Sequence, residues 1–181
     1  MKYWIIALVI AALSSCSSMP GMPGFIDVKE SKFDGSKIVS MEPAFVGYSD
    51  QIKMGLYWQS TLPEEVILLT VWVRGAELFS SGKSLHFNVD GEFYSLDAND
   101  DSFNVKTTNG GVYNSVMIPP SNWSGITYRT SKNFIKKINS AKKVIVKVDL
   151  RAGYLEGEHT VSNPTSSKTG FVNFFKKIDS Y

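Results

Sequence analysis

Apolar residues recur along this chain with two different periods, and the change between them separates strands from helices. In "KIVSMEPAFV" (37–46) the alternation reads as a strand that Pro43 breaks or bends. "KMGLYWQS" puts Met54, Leu56 and Trp58 on one face at period two. The run from 66 to 73 is nearly continuous in apolar and β-branched residues, which predicts a central strand buried on both faces. In "SLHFNVDGEFYSL", Asp90-Gly91 is a two-residue turn that accepts positive φ at both positions. The register it sets pairs Phe87 with Tyr94 and Leu85 with Leu96 on one face. His86, Asn88, Phe93 and Ser95 then share the other. A second hairpin is expected over 103–118, turning near Asn109-Gly110-Gly111 and ended by Pro119-Pro120.

Past that point the period lengthens. "SKNFIKKINSA" spaces Phe134, Ile135, Ile138 and Ala141 for a helix, with Ser131 as its N-cap and lysines opposite. "KVIVKVDL" returns to period two, with Val144, Val146, Val148 and Leu150 on one side, and a short strand over 154–158 follows. Phe171, Phe174, Phe175 and Ile178 then fall at i, i+3, i+4 and i+7, an amphipathic helix with Thr169 as its cap. At that spacing the aromatic face is core. These elements predict an α+β domain: a mainly antiparallel β-sheet, sandwich-like in one form, with two amphipathic helices packed on it.

The N-terminus follows a different pattern. Residues 4–13 are an unbroken apolar run of ten behind Met1-Lys2-Tyr3. A membrane-spanning helix needs about 20 such residues, whereas a positive start, a short apolar stretch and small residues describe a secretory signal peptide. The chain's single cysteine follows directly. Leu13-Ser14-Ser15-Cys16 resembles the lipobox of bacterial lipoproteins. The resemblance implies cleavage between Ser15 and Cys16 and lipidation of Cys16. Each buried acyl methylene contributes about 0.8 kcal/mol, so several chains on one residue anchor a protein firmly. Ser17, where aspartate would favour inner-membrane retention, implies the outer membrane, facing the periplasm. The expected domains are a signal peptide (1–15), a lipidated cysteine with flexible tether (16–36) and one globular β-rich domain (37–181). A tether of that length spans roughly 25 Å.

Composition narrows the function without naming it. Aromatic content of 13% and hydrophobic content of 43% describe a packed globule. A net charge of +2 points to no nucleic-acid partner. Charge is nevertheless segregated: 77–101 carries six acidic residues against Lys83, and 129–151 carries eight basic residues against Asp149. Such a division forms either a steering dipole or two solvated faces.

Motifs for catalysis are missing: the sequence holds no G-x-S-x-G, no H-E-x-x-H, no P-loop and no G-x-G-x-x-G after a strand. His86 and Asp90 share a strand face with Asn88 between them, the solvated side of an amphipathic hairpin. His159 lies in a polar stretch and is expected at the surface. Asp97, Asn99 and Asp101 match the first three ligand positions of a calcium loop. Ser102 and Thr108 occupy the positions that require glycine and glutamate, so a solvated turn is expected. No cofactor is expected. The chain thus reads as a non-catalytic envelope module that binds a protein assembly, peptidoglycan, a lipid or a small ligand. The expected partners are the membrane, through the lipid, and an envelope protein. The alternative is an envelope hydrolase whose site joins His86 or His159 to an aspartate from elsewhere in the chain.

Overall fold

The structure, a computed structural model, describes residues 21–98, 104–108, 111–113, 116–118, 121–161 and 164–181, with 104–118 as backbone. Among the described residues its architecture is α+β: two antiparallel sheets, a small hairpin and two helices. The larger sheet runs β1 (Ile26–Glu30), β2 (Lys37–Met41), β4 (Ile52–Gln59), β5 (Val66–Arg74), β11 (Ser121–Ser131) and β8 (Asn104–Thr108). β3 (Ala44–Phe45) also pairs with β4. The smaller sheet runs β13 (Gly153–Glu158), β12 (Val144–Leu150), β6 (Lys83–Val89) and β7 (Glu92–Asp97).

Alternation along each strand decides which face meets the core. In β5, Ile67, Leu69, Val71 and Val73 are fully buried, while Leu68, Thr70 and Trp72 are half-buried. The expectation that this strand is buried on both faces is therefore corrected. It is central in its sheet, but its outer face carries Trp72 and Thr70, which are only partly covered. In β4, Met54, Leu56 and Trp58 point inward as the period predicts. The β6–β7 register pairs Phe87 with Tyr94 and Leu85 with Leu96, through a turn with φ of 50° at Asp90 and 97° at Gly91. The inner faces of both sheets contribute to one hydrophobic core. Inside it the Tyr128 hydroxyl of β11 meets Ser84 Oγ of β6 at 2.8 Å.

The two helices complete that core. In α1 (Lys132–Ser140), Ser131 Oγ accepts the Phe134 N–H at 3.1 Å, and Ile135 and Ile138 are fully buried. Phe134 stands edge-on to Phe87 at 5.3 Å, so α1 lies on the inner side of the smaller sheet. In α2 (Ser167–Ile178), Phe171, Phe174, Phe175 and Ile178 are buried, each burial contributing about 1.5–3 kcal/mol. Neither helix is long and apolar enough to cross a membrane.

Four expectations change. The tether does not extend to Ser36, because β1 pairs with β2 from Ile26↔Met41 to Glu30↔Lys37, so the folded body begins by Ile26. The hairpin expected over 103–118 is divided. β8 pairs with β11, and a separate hairpin joins β9 (Gly111–Tyr113) to β10 (Val116–Ile118). β11 itself has no counterpart in the sequence reading, although it is the longest strand and links β5 to β8. The N-cap of α2 is Ser166, and Thr169 sits inside the first turn with its hydroxyl 3.0 Å from Ser166 Oγ.

Candidate functional site: the open face of the smaller sheet

Because Leu85, Phe87 and Val89 point into the core, His86 and Asn88 must point away from it. The two-residue turn makes Val89–Glu92 a hydrogen-bonded pair, and the pairs alternate from there. His86–Ser95 is therefore a pair of the closer, non-hydrogen-bonded kind, and its side chains meet. On the other side, β12 places Lys147 opposite His86 and turns Asp149 to the same face.

Four side chains from three strands form one hydrogen-bonded row. His86 Nδ1 lies 2.8 Å from Ser95 Oγ, and His86 Nε2 lies 2.9 Å from Asp149 Oδ2. Lys147 Nζ reaches the other carboxylate oxygen, Asp149 Oδ1, at 2.9 Å. A carboxylate only accepts, so neutral His86 carries its proton on Nε2. Nδ1 is then the acceptor, and the Ser95 hydroxyl donates to it. Partial burial pushes the Asp149 carboxyl up, but hydrogen bonds from Lys147 and His86 outweigh it and hold Asp149 below its ordinary range. The Asp149 hydrogen bond likewise raises Lys147 above its ordinary value.

Around this row lies a shallow concavity of about 380 Å³, to which Asn88, Phe93, Ile145 and Glu156 also contribute. Two aromatic side chains stand out from the same face. Phe93 is 80% exposed and Tyr154 is 60% exposed, and the Lys147 ammonium lies 4.8 Å from the Tyr154 ring centre. A second concavity, of about 300 Å³, lies on the outer face of the larger sheet by Trp72 and Trp123. There the Lys53 ammonium sits 4.0 Å from the Trp123 ring and 4.5 Å from the Phe45 ring, so a cation of the chain already occupies the aromatic surface.

Ser95, His86 and Asp149 have the order of a nucleophile, base and orienting acid. What acyl transfer also requires is a pair of amides aimed at the developing oxyanion. Ser95 lies in a regular strand, whose N–H groups run in the plane of the sheet and not toward its face. The arrangement is better suited to presenting donors, acceptors and aromatic faces to a ligand.

The remaining sequence candidates fall elsewhere. Asp90 is not part of the polar row: its carboxylate turns back to accept the N–H groups of Lys143 (2.8 Å) and Lys142 (3.2 Å), which holds its pKa below the ordinary range. His159 is not at the surface. It is 1% exposed, its Nδ1 bonds Ser167 Oγ at 2.9 Å, and its ring lies 5.0 Å from that of Phe171. Burial, with Lys168 adding to it, lowers its pKa to about 3. Asp97 ends β7 opposite Lys83. Leu13, Ser14, Ser15, Cys16, Asn99 and Asp101 lie outside the described residues. The acidic and basic stretches do not form opposite poles, because β6–β7 and α1–β12 are neighbours. Glu92 pairs with Lys137 at 2.6 Å, and Asp90 binds the turn after α1.

Sequence reasoning missed Asp149 and Lys147 as members of the site. The signal was present: in "KVIVKVDL" the polar positions 147 and 149 alternate with the buried valines, so they share the face opposite the core. What the sequence could not supply was the pairing of β12 with β6. Compared with known proteins, the chain matches no family model, no curated protein and no solved structure, so its function is read from its own residues.

Proposed function

We propose that this chain is a lipid-anchored protein of the bacterial envelope that binds a glycan strand on the open face of its smaller sheet and catalyses no reaction. The observation that carries the proposal is the pair of exposed aromatics, Phe93 and Tyr154, at opposite corners of a continuous polar row. They are separated by three strand spacings and four residues along the strands, about 20 Å in all. That span suits an extended oligomer better than a small molecule. Sugars offer apolar C–H faces for aromatic rings and hydroxyls for mixed donors and acceptors. Asn88, Ser95, Lys147 and Glu156 supply both kinds of polar partner. The lipobox Leu13-Ser14-Ser15-Cys16 supports the location.

The test is co-sedimentation with purified cell-wall glycan. Wild-type protein should sediment with it, and Phe93→Ala and Tyr154→Ala should each weaken binding about tenfold, equivalent to about 1.4 kcal/mol, with unchanged unfolding midpoints. Equal binding by both variants, or none by the wild type, contradicts the proposal. The anchor is tested separately by intact mass: membrane-extracted protein should have the mass of residues 16–181 plus lipid, and Cys16→Ala should lose it.

A hydrolase is the second reading, and the Ser95–His86–Asp149 row is the observation that favours it. Covalent labelling of Ser95 by a serine-directed phosphonate, lost in His86→Ala, would support that reading over simple binding.

A further inference from the structure

We infer that the lysine-rich layer formed by α1 and α2 is a docking surface for an anionic lipid bilayer. Neither helix contains an aspartate or glutamate, and each carries three lysines, with Lys142 and Lys143 in the turn after α1. Lys136 pairs with Asp179 at 3.5 Å and Lys137 with Glu92. Among the described residues no carboxylate forms an ion pair with the ammonium of Lys142, Lys143, Lys176 or Lys177, and all four side chains are exposed; the Asp90 carboxylate lies at the backbone of Lys142 and Lys143 and offsets part of their charge. The Lys136 ammonium itself lies 5.2 Å from the Phe175 ring centre, so this cation is held between that ring and Asp179. On α2, Val172 is exposed one turn from Lys168 and one turn from Lys176, an apolar side chain between two cations. Such a surface matches the negative potential and shallow apolar boundary of an anionic leaflet.

The length of the tether keeps the same occupant within reach. Gly24 packs on the first half of α2: a Cβ added there would lie 3.8 Å from the Thr165 carbonyl oxygen and 3.9 Å from Gly170 Cα. A Cβ at Gly170 would meet Met41 Cε at 2.5 Å and Gly24 Cα at 3.4 Å, so the end of the Met41 side chain fills the space beside this glycine. Gly24 thus sits against the buried side of α2, while Gly21 and Pro23 line the concavity by Trp72 and Trp123 on the outer face of the larger sheet. Seven residues lie between Cys16 and Gly24, a reach of at most about 28 Å when extended. This second line rests on the proposed anchor, whereas the charge pattern does not. Because α1 lies on the inner side of the smaller sheet, a bilayer seated on the helices leaves the face of His86, Phe93 and Tyr154 turned away from it.

Every strand and helix among the described residues lies within 26–178, so the body from Gly21 to Tyr181 retains all the described packing and can be tested without leader or lipid. Vesicles of equal parts phosphatidylglycerol and phosphatidylcholine should bind it at least about tenfold more tightly than pure phosphatidylcholine. Raising ionic strength from about 0.1 M to about 1 M shortens the screening length from about 10 Å to about 3 Å and should abolish binding. Changing Lys142, Lys143, Lys176 and Lys177 together to Glu should also abolish it, and changing them to Gln should weaken it with the unfolding midpoint kept. Changing Lys29 and Lys32 to Glu should leave it intact. Absence of binding to the anionic vesicles, or binding that survives the four-Glu variant, overturns the inference. The glycan proposal stands or falls separately, on Phe93→Ala and Tyr154→Ala.

Discussion

The chain has two histidines, and they occupy opposite kinds of surroundings. His86 has partners at both ring nitrogens yet retains 28% of its side-chain exposure, on the open face of the smaller sheet. His159 is wholly covered by the end of β13 and the start of α2. It has one side-chain partner, Ser167, and no hydrogen bond at Nε2 among the described residues. Burial without full hydrogen bonding costs stability unless the ring's packing returns it, so His159 belongs to the fold. Full hydrogen bonding without burial leaves His86 organised and accessible, which is the condition of a ligand-binding group.

The largest expected effect breaks this comparison at its buried side. His159→Ala removes a ring packed on Phe171 and leaves Ser167 Oγ short of a partner, and should cost about 2–4 kcal/mol in urea unfolding. His86→Ala should cost no more than about 1 kcal/mol. Equal costs would remove the distinction.

Acid sharpens the same contrast. Folding lowers the His159 pKa from 6.5 to about 3, so below pH 6.5 the unfolded chain takes up a proton that the folded chain refuses. The contribution of neutral His159 is fully present above pH 6.5 and is lost as pH falls, by up to about 1.4 kcal/mol per pH unit. Asp34, Asp90, Glu92 and Asp149, whose pKa values are lowered, act at more acidic pH, so the window between about pH 5.5 and 6.5 isolates the histidine from them. In His159→Gln the slope in that window should flatten, and an unchanged slope would assign it to other groups.

Smaller effects follow at the open face and its turn. Asp90→Ala loses the clamp on Lys142 and Lys143 and should lower the unfolding midpoint by less than His159→Ala does. Ser95→Ala should change stability by no more than about 0.5 kcal/mol, because the site is accessible to water that can replace its hydroxyl at His86 Nδ1.

Local patterning was legible wherever one face is buried and the other wet. The β6–β7 register, the inward set of β12 and the Ser131 cap of α1 all followed from residue spacing. β11 was not, because Gly125 and the serines and threonines of "SNWSGITYRTS" dilute its alternation, and its pairing with β5 is a long-range fact. β1 escaped notice because an edge strand such as "IDVKE" is polar along most of its length. The site itself was half legible. His86, Asn88, Phe93 and Ser95 were placed on one face by the turn, but Asp149 reaches His86 only through a pairing 63 residues distant. His159 misled for a related reason: a polar stretch of sequence becomes interior when a later helix packs over it.

The most direct test of the open face as the ligand surface is a two-dimensional amide spectrum of the body titrated with soluble cell-wall glycan oligomers. Shifts concentrated at His86, Phe93, Ser95, Lys147, Asp149, Tyr154 and Glu156 are the predicted result. Shifts concentrated instead around Trp72 and Trp123 on the larger sheet, or no shifts at all, would contradict it.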